Sequence, residues 1–145
     1  MRNEIIDQNM LAGDVLVIGK DIEALLNNFE EHSFTTYGME YDPTLYRKGM
    51  EGKHKILNGP ITEENIKWFH LNCFDVIYLN NIRLTINNFN EFFSFIPKYM
   101  HQHSNLYINI IGLNKSYFYE LQETLHKYNL KLEKVTTHIK IKKKA

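Results

Sequence analysis

The stretch DVLVIGKDIEALL, Asp14 to Leu26, sets one glycine, Gly19, between an apolar run and a segment with helical spacing, and follows it with Lys20, Asp21, Ile22 and Glu23. A strand, a glycine turn and a helix in that order can present backbone N–H groups to a ligand. Here Asp21 stands where a helix N-cap would stand, and Glu23 adds negative charge to the first turn. Both disfavour a pyrophosphate, which argues against nicotinamide and flavin dinucleotides. Three more polar groups close apolar runs: Glu40, an acceptor-only carboxylate when ionised; the turn Asn58-Gly59-Pro60; and Asn80 with Asn81 after FDVIYL.

Other residues capable of chemistry read more plainly. His101 and His103 form an H-x-H pair on an expected loop before a strand, with no carboxylate or cysteine close by in sequence, so no metal site is assigned. Cys73 precedes FDVIYL and is read as a small apolar residue; as the only cysteine it excludes an intrachain disulfide. The lysine run at residues 140–145, KIKKKA, is the one local basic patch and is expected to be a solvated, frayed end. No base or nucleophile motif stands out, so no catalytic residue is named.

The elements that must hold these residues alternate along the chain. VLVI (Val15 to Ile18) is the first strand, and Ile22, Leu25, Leu26 and Phe29 share one helical face. FTTYGME is the second strand, and Asp42-Pro43 pairs a cap with proline at a first helical position. KHKIL is a short third strand, followed by a helix opening at Thr62, Glu63 and Glu64. FDVIYL, a helix through Phe89, Phe92, Phe93 and Ile96, LYINII, and a helix through Phe118, Leu121, Leu125 and Tyr128 come next. LEKVTTHIKI closes the chain as a sixth strand.

Strands separated by helices predict an α/β fold, a three-layer α/β/α Rossmann-like sandwich. Its sheet is expected to be mainly parallel and six-stranded, in the order 3-2-1-4-5 with the last strand at the edge beside the fifth. Ligands of such sheets sit outside the carboxyl ends of the strands, where strand order reverses. That rule collects Gly19, Glu40, Asn58, Gly59, Pro60, Asn80 and Gly112.

At 145 residues, 43% hydrophobic and 23% charged, residues 1–145 suit a single domain, with 1–13 as an N-terminal extension and 140–145 as a basic tail. A short helix through Ile5, Ile6 and Leu11 is expected in the extension. Seventeen basic and seventeen acidic residues leave no net charge to attract nucleic acid or an anionic membrane. Glu4 and Asp7 interrupt the apolar residues of the N-terminal stretch, so neither a signal peptide nor a membrane anchor is expected. A cytoplasmic protein is the expectation, with a small-molecule or protein substrate and pairing into a homodimer among the open partner states.

Several stretches together resemble class I S-adenosylmethionine-dependent methyltransferases. TYGMEYDPTLYRKG resembles that family's second-strand signature, with Glu40 on the acid that accepts hydrogen bonds from both ribose hydroxyls. VLVIG is similar to the first-strand motif, CFDVIYLNN to the fourth, and NLYINIIG and LHKYNLKLEKV fall on the fifth strand and the next helix–strand step. The resemblance covers Asp14 to about Val135 and implies S-adenosylmethionine as cofactor, held by Gly19, Glu40, Asn58, Gly59 and Asn80.

The departures are equally specific. The family's first-strand acid falls on Val17, its second and third loop glycines on Asp21 and Glu23, and its third-strand acid near Gly59-Pro60. No NPPY-type motif follows Asn80, and the final hairpin strand is expected to be missing or merged into the basic tail. Two functions stay open. One is a small divergent methyltransferase of unknown acceptor; the other is a non-catalytic descendant serving as a binding, regulatory or assembly module. Either way Glu40, as a strand-end acid, is expected to add little to the stability of the unliganded fold.

Overall fold

A computed structural model of the protein describes residues 13–40, 55–80, 89–109, 115–134 and 138–144. The elements are β1 (Asp14–Gly19), α1 (Glu23–Glu31), β2 (Thr35–Glu40), β3 (Lys55–Asn58), α2 (Glu63–Lys67), β4 (Phe74–Asn80), α3 (Phe89–Phe95), β5 (Met100–Asn109), α4 (Lys115–Lys127), β6 (Leu130–Lys134) and β7 (His138–Lys143). A 3-10 turn, Ile96–Tyr99, joins α3 to β5. The expected helices near Ile5 and at Asp42-Pro43, together with Asn81 and Gly112, lie outside the described residues.

One sheet of seven strands runs in the order β3-β2-β1-β4-β5-β7-β6. The first five of these are mutually parallel, and β1 sits at the centre with β2 on one side and β4 on the other. Order reverses between β1 and β4, as expected. The pleat then sorts side chains by parity. Val15 and Val17, with Val76, Tyr78 and Tyr107, pack against Ile22, Leu26 and Phe29 of the α1 segment. Leu16, Ile18, Ile77, Leu79, Leu106 and Ile108 pack on the other face with Ile66, Phe89, Phe92, Phe93, Leu121 and Leu125. Helices therefore cover both faces, and the phenylalanine stripe is core. Gly38 lets α1 lie close, since a Cβ there would stand 3.0 Å from Ile22 Cδ1 and Leu26 Cδ1.

The sixth expected strand is two strands. LEKVTTHIKI divides into β6 and β7, which pair antiparallel with Lys134 opposite Ile139. The final hairpin is thus present: β7 lies beside β5, and β6 takes the edge. The reversal was hidden because Val135, Thr136 and Thr137 are β-formers with no glycine or proline among them. The lysine run is not frayed. Residues 140–143 belong to β7, where Ile139 and Ile141 are buried and Lys140 and Lys142 alternate with them.

The helix start at Thr62 is confirmed in detail. The Asn65 N–H donates to Thr62 Oγ1 at 3.1 Å, and Glu63 and Glu64 occupy the first turn of α2. Thr62→Ala is expected to cost about 1 kcal/mol, read as a lower urea midpoint with an unchanged slope.

Candidate functional site

The register places four of the five expected cofactor-binding residues in one row across the carboxyl end of the sheet. Asn58 pairs with Glu40, Glu40 with Gly19, and Gly19 with Asn80. Gly59 is next to that row, and its N–H donates to the Glu40 carbonyl at 3.1 Å. Residues up to 61 positions apart in sequence therefore meet at the switch point between β1 and β4.

Gly19 occupies its place for a steric reason. Its φ is +151°, and a Cβ built there would run into the Asn80 carbonyl oxygen. Strand β1 thus approaches β4 too closely for any side chain at its last residue.

Glu40 is not a solvated strand-end acid. It is fully buried, and its carboxylate accepts the Asp21 N–H at Oε2 (3.3 Å) and the Ile22 N–H at Oε1 (3.4 Å). The expectation that it adds little to the unliganded fold is corrected accordingly. Asn80 reaches the same turn from β4, its Nδ2 donating to the Lys20 carbonyl at 3.1 Å. One peptide unit, Lys20 C=O with Asp21 N–H, is therefore held from β4 at one end and from β2 at the other.

Asp21 is not the N-cap of α1. The residue in the cap position is Ile22, whose side chain can make no cap bond, and Asp21 precedes it with φ +56°. The left-handed region is where glycine is usual and aspartate is tolerated. Asp21 thus takes the backbone role of a missing loop glycine, while Glu40 satisfies the N–H groups that a cap or an anion would otherwise take. A pyrophosphate is still disfavoured, now because a carboxylate already occupies those donors. NADH is expected to bind no tighter than roughly millimolar, and a calorimetric titration checks this.

A second polar cluster lies at the opposite edge, where sequence spacing pointed to nothing. His101 is in β5 rather than on a loop, and its Nε2 lies 2.7 Å from Asp75 Oδ1. The His103 N–H donates to His101 Nδ1 at 3.1 Å, which puts the imidazole proton on Nε2, facing the carboxylate. Asp75 Oδ2 also accepts the Asp14 N–H at 2.8 Å. Among the described residues no group of three or more His, Cys, Asp or Glu could hold a metal ion, and no helix is long and apolar enough to cross a membrane. Cys73 is half-buried.

Burial, and then the neighbouring Asp75 charge, raise the Asp14 carboxyl above the ordinary 3.8, while the Tyr37 hydroxyl bonded to it and Lys55 pull it down. A raised folded-state value gives stability that is complete below the unfolded value and is lost as pH rises through the folded one. Asp14→Asn is therefore expected to flatten that acid-range fall, leaving the protein no less stable at neutral pH. Urea midpoints taken from about pH 3 to about pH 7 check it.

The sequence matches no protein-family model and no curated protein. Solved structures do match. A TehB-like S-adenosylmethionine-dependent methyltransferase from Corynebacterium glutamicum superposes with TM-score 0.72 at 13% identity, over 98% of this chain and 86% of that one. A ribosomal protein L11 methylase from Lactobacillus delbrueckii subsp. bulgaricus gives 0.69 at 10% identity, over 96% and 75%. A precorrin-6y C5,15-methyltransferase from Geobacter metallireducens gives 0.62 at 9% identity, over 94% and 82%. At such identities the likeness is one of fold, and the mostly parallel sheet agrees with it. The chain has the Rossmann-like α/β fold of class I S-adenosylmethionine-dependent methyltransferases.

Proposed function

We propose that the protein binds S-adenosylmethionine at the carboxyl edge of its sheet and transfers the methyl group to an acceptor brought to the same edge. The observation that carries this reading is the row Asn58, Glu40, Gly19, Asn80 across the switch point of a methyltransferase fold. The residues suit the ligand. Glu40 is a buried carboxylate able to accept two ribose hydroxyls. Gly19 keeps β1 free of a side chain at the point of closest approach, and Asn58, Gly59 and Asn80 add amide and backbone groups on either side.

When bound, the cofactor supplies a methyl group already activated by its sulfonium. The chain's own residues then have to fix orientation and keep the acceptor in line, which is catalysis by proximity. That demand agrees with the lack of any base or nucleophile motif in the sequence.

Binding is tested with S-adenosylhomocysteine. At a hundred times its dissociation constant it is expected to stabilise the folded state by about 2.7 kcal/mol, visible as a raised melting temperature. An unmoved curve at millimolar ligand would leave the chain as a methyltransferase-like scaffold without this cofactor.

A further inference from the structure

The Glu40 carboxylate has no accessible surface in the free protein, so a ligand hydroxyl can reach it only after a covering group moves. Two groups that touch its oxygens are the Asp21 and Ile22 N–H of the β1–α1 turn. We infer that the Lys20–Asp21 peptide is a latch, clasped by Glu40 and Asn80 in the free protein, and that a ribose-bearing ligand binds by displacing the Asp21 and Ile22 N–H donors from Glu40 with its own hydroxyls. The inference rests on the methyltransferase reading and adds that the binding site opens from a closed, self-satisfied state.

The geometry favours such an exchange. At 3.3 and 3.4 Å the two N–H bonds are near the outer limit of the interaction, whereas hydroxyls form shorter and stronger bonds to a carboxylate. The element that must move is small. Ile22 is fully buried among the α1 contacts and fixes the far side of the turn, while Asp21 is exposed and already in a left-handed conformation. Rotating the Lys20–Asp21 peptide would release the Asn80 bond and the Asp21 bond to Glu40 together, because they hold opposite ends of the same unit, and turning the adjoining Asp21–Ile22 peptide about the seated Ile22 side chain releases the Ile22 N–H. The buried carboxylate is never left without donors, since one pair replaces another.

The test uses amide hydrogen exchange on the full isotope-labelled chain, free and saturated with S-adenosylhomocysteine, with calorimetry confirming occupancy. In the free protein the Asp21 and Ile22 amides should be protected, and Glu40→Gln should speed at least one of them by about tenfold while Val17 and Leu79 stay unchanged. Bound ligand should speed both amides in the wild-type chain by a similar factor while the surrounding strands become no faster. If the ligand binds and both amides stay as protected as before, the latch is wrong and the proposed function stands. If calorimetry shows no binding, the proposed function and the exchange fall together, and the Glu40→Gln comparison then reports only on the turn of the free protein. Should that variant not fold, the wild-type comparison decides alone.

Discussion

Glu40→Ala is expected to lower the unfolding free energy of the unliganded protein by about 1 to 3 kcal/mol, because the buried Ile22 N–H loses its acceptor, while the Asp21 N–H, on an exposed residue, adds less. The Ile22 N–H cannot turn freely to water, since Ile22 is fully buried, whereas the Asp21 N–H is only partly buried. Urea unfolding should show a lower midpoint at unchanged slope. A loss below about 0.5 kcal/mol, the range of ordinary surface changes, would mean that water reaches the turn and that the burial of Glu40 has been misread. The same variant separates stability from binding. If Glu40 takes the ribose, the thermal shift caused by S-adenosylhomocysteine should largely vanish in Glu40→Ala, each lost charged bond costing about 1.5 to 3 kcal/mol. A full shift in the variant would put the ligand elsewhere.

Gly19→Ala is expected to be comparably damaging for a different reason. A φ of +151° is open to glycine and strained for alanine, at about 1 to 3 kcal/mol. The new methyl group would also collide with the Asn80 backbone rather than with a yielding side-chain tip, adding about 1 to 3 kcal/mol of overpacking. Relief could come only by parting β1 from β4, which would move Asn80 away from the Lys20 carbonyl. Denaturant midpoints measure the stability term. Gly38→Ala is a useful contrast: it too is crowded, but by the Ile22 and Leu26 methyl groups, which can shift. A Gly19→Ala protein as stable as wild type would show that the end of β1 is not held as described.

Short-range pattern by itself determined most of the framework. The alternation in Val15-Leu16-Val17-Ile18 assigns successive residues to opposite cores; the spacing of Phe89, Phe92, Phe93 and Ile96 makes a buried helical face; and Thr62 with Asn65 fixes a helix start within three residues. These follow from periods of two and 3.6 and from local capping, which a linear sequence carries directly. Placing Gly19, Glu40, Asn58 and Asn80 at strand ends needed nothing more, and parallel connectivity then brings strand ends together.

What only the tertiary structure decided depends on partners far apart in the chain. The Asn80 bond to Lys20 spans 60 residues, the Glu40 bonds to Asp21 and Ile22 span 19 and 18, and the His101–Asp75 contact spans 26. Asp21 reads locally as a cap because aspartate caps helices well. It is displaced from that role because a buried carboxylate from the neighbouring strand already meets the turn N–H groups, leaving Asp21 to supply the left-handed residue. The hairpin of β6 and β7 was invisible for the converse reason, its reversal being set by pairing with β5 and not by any turn-forming residue at 135–137. A sequence states what each segment prefers, but strand order and register decide which preferences meet, and it is those meetings that bury Glu40 and close the turn over it.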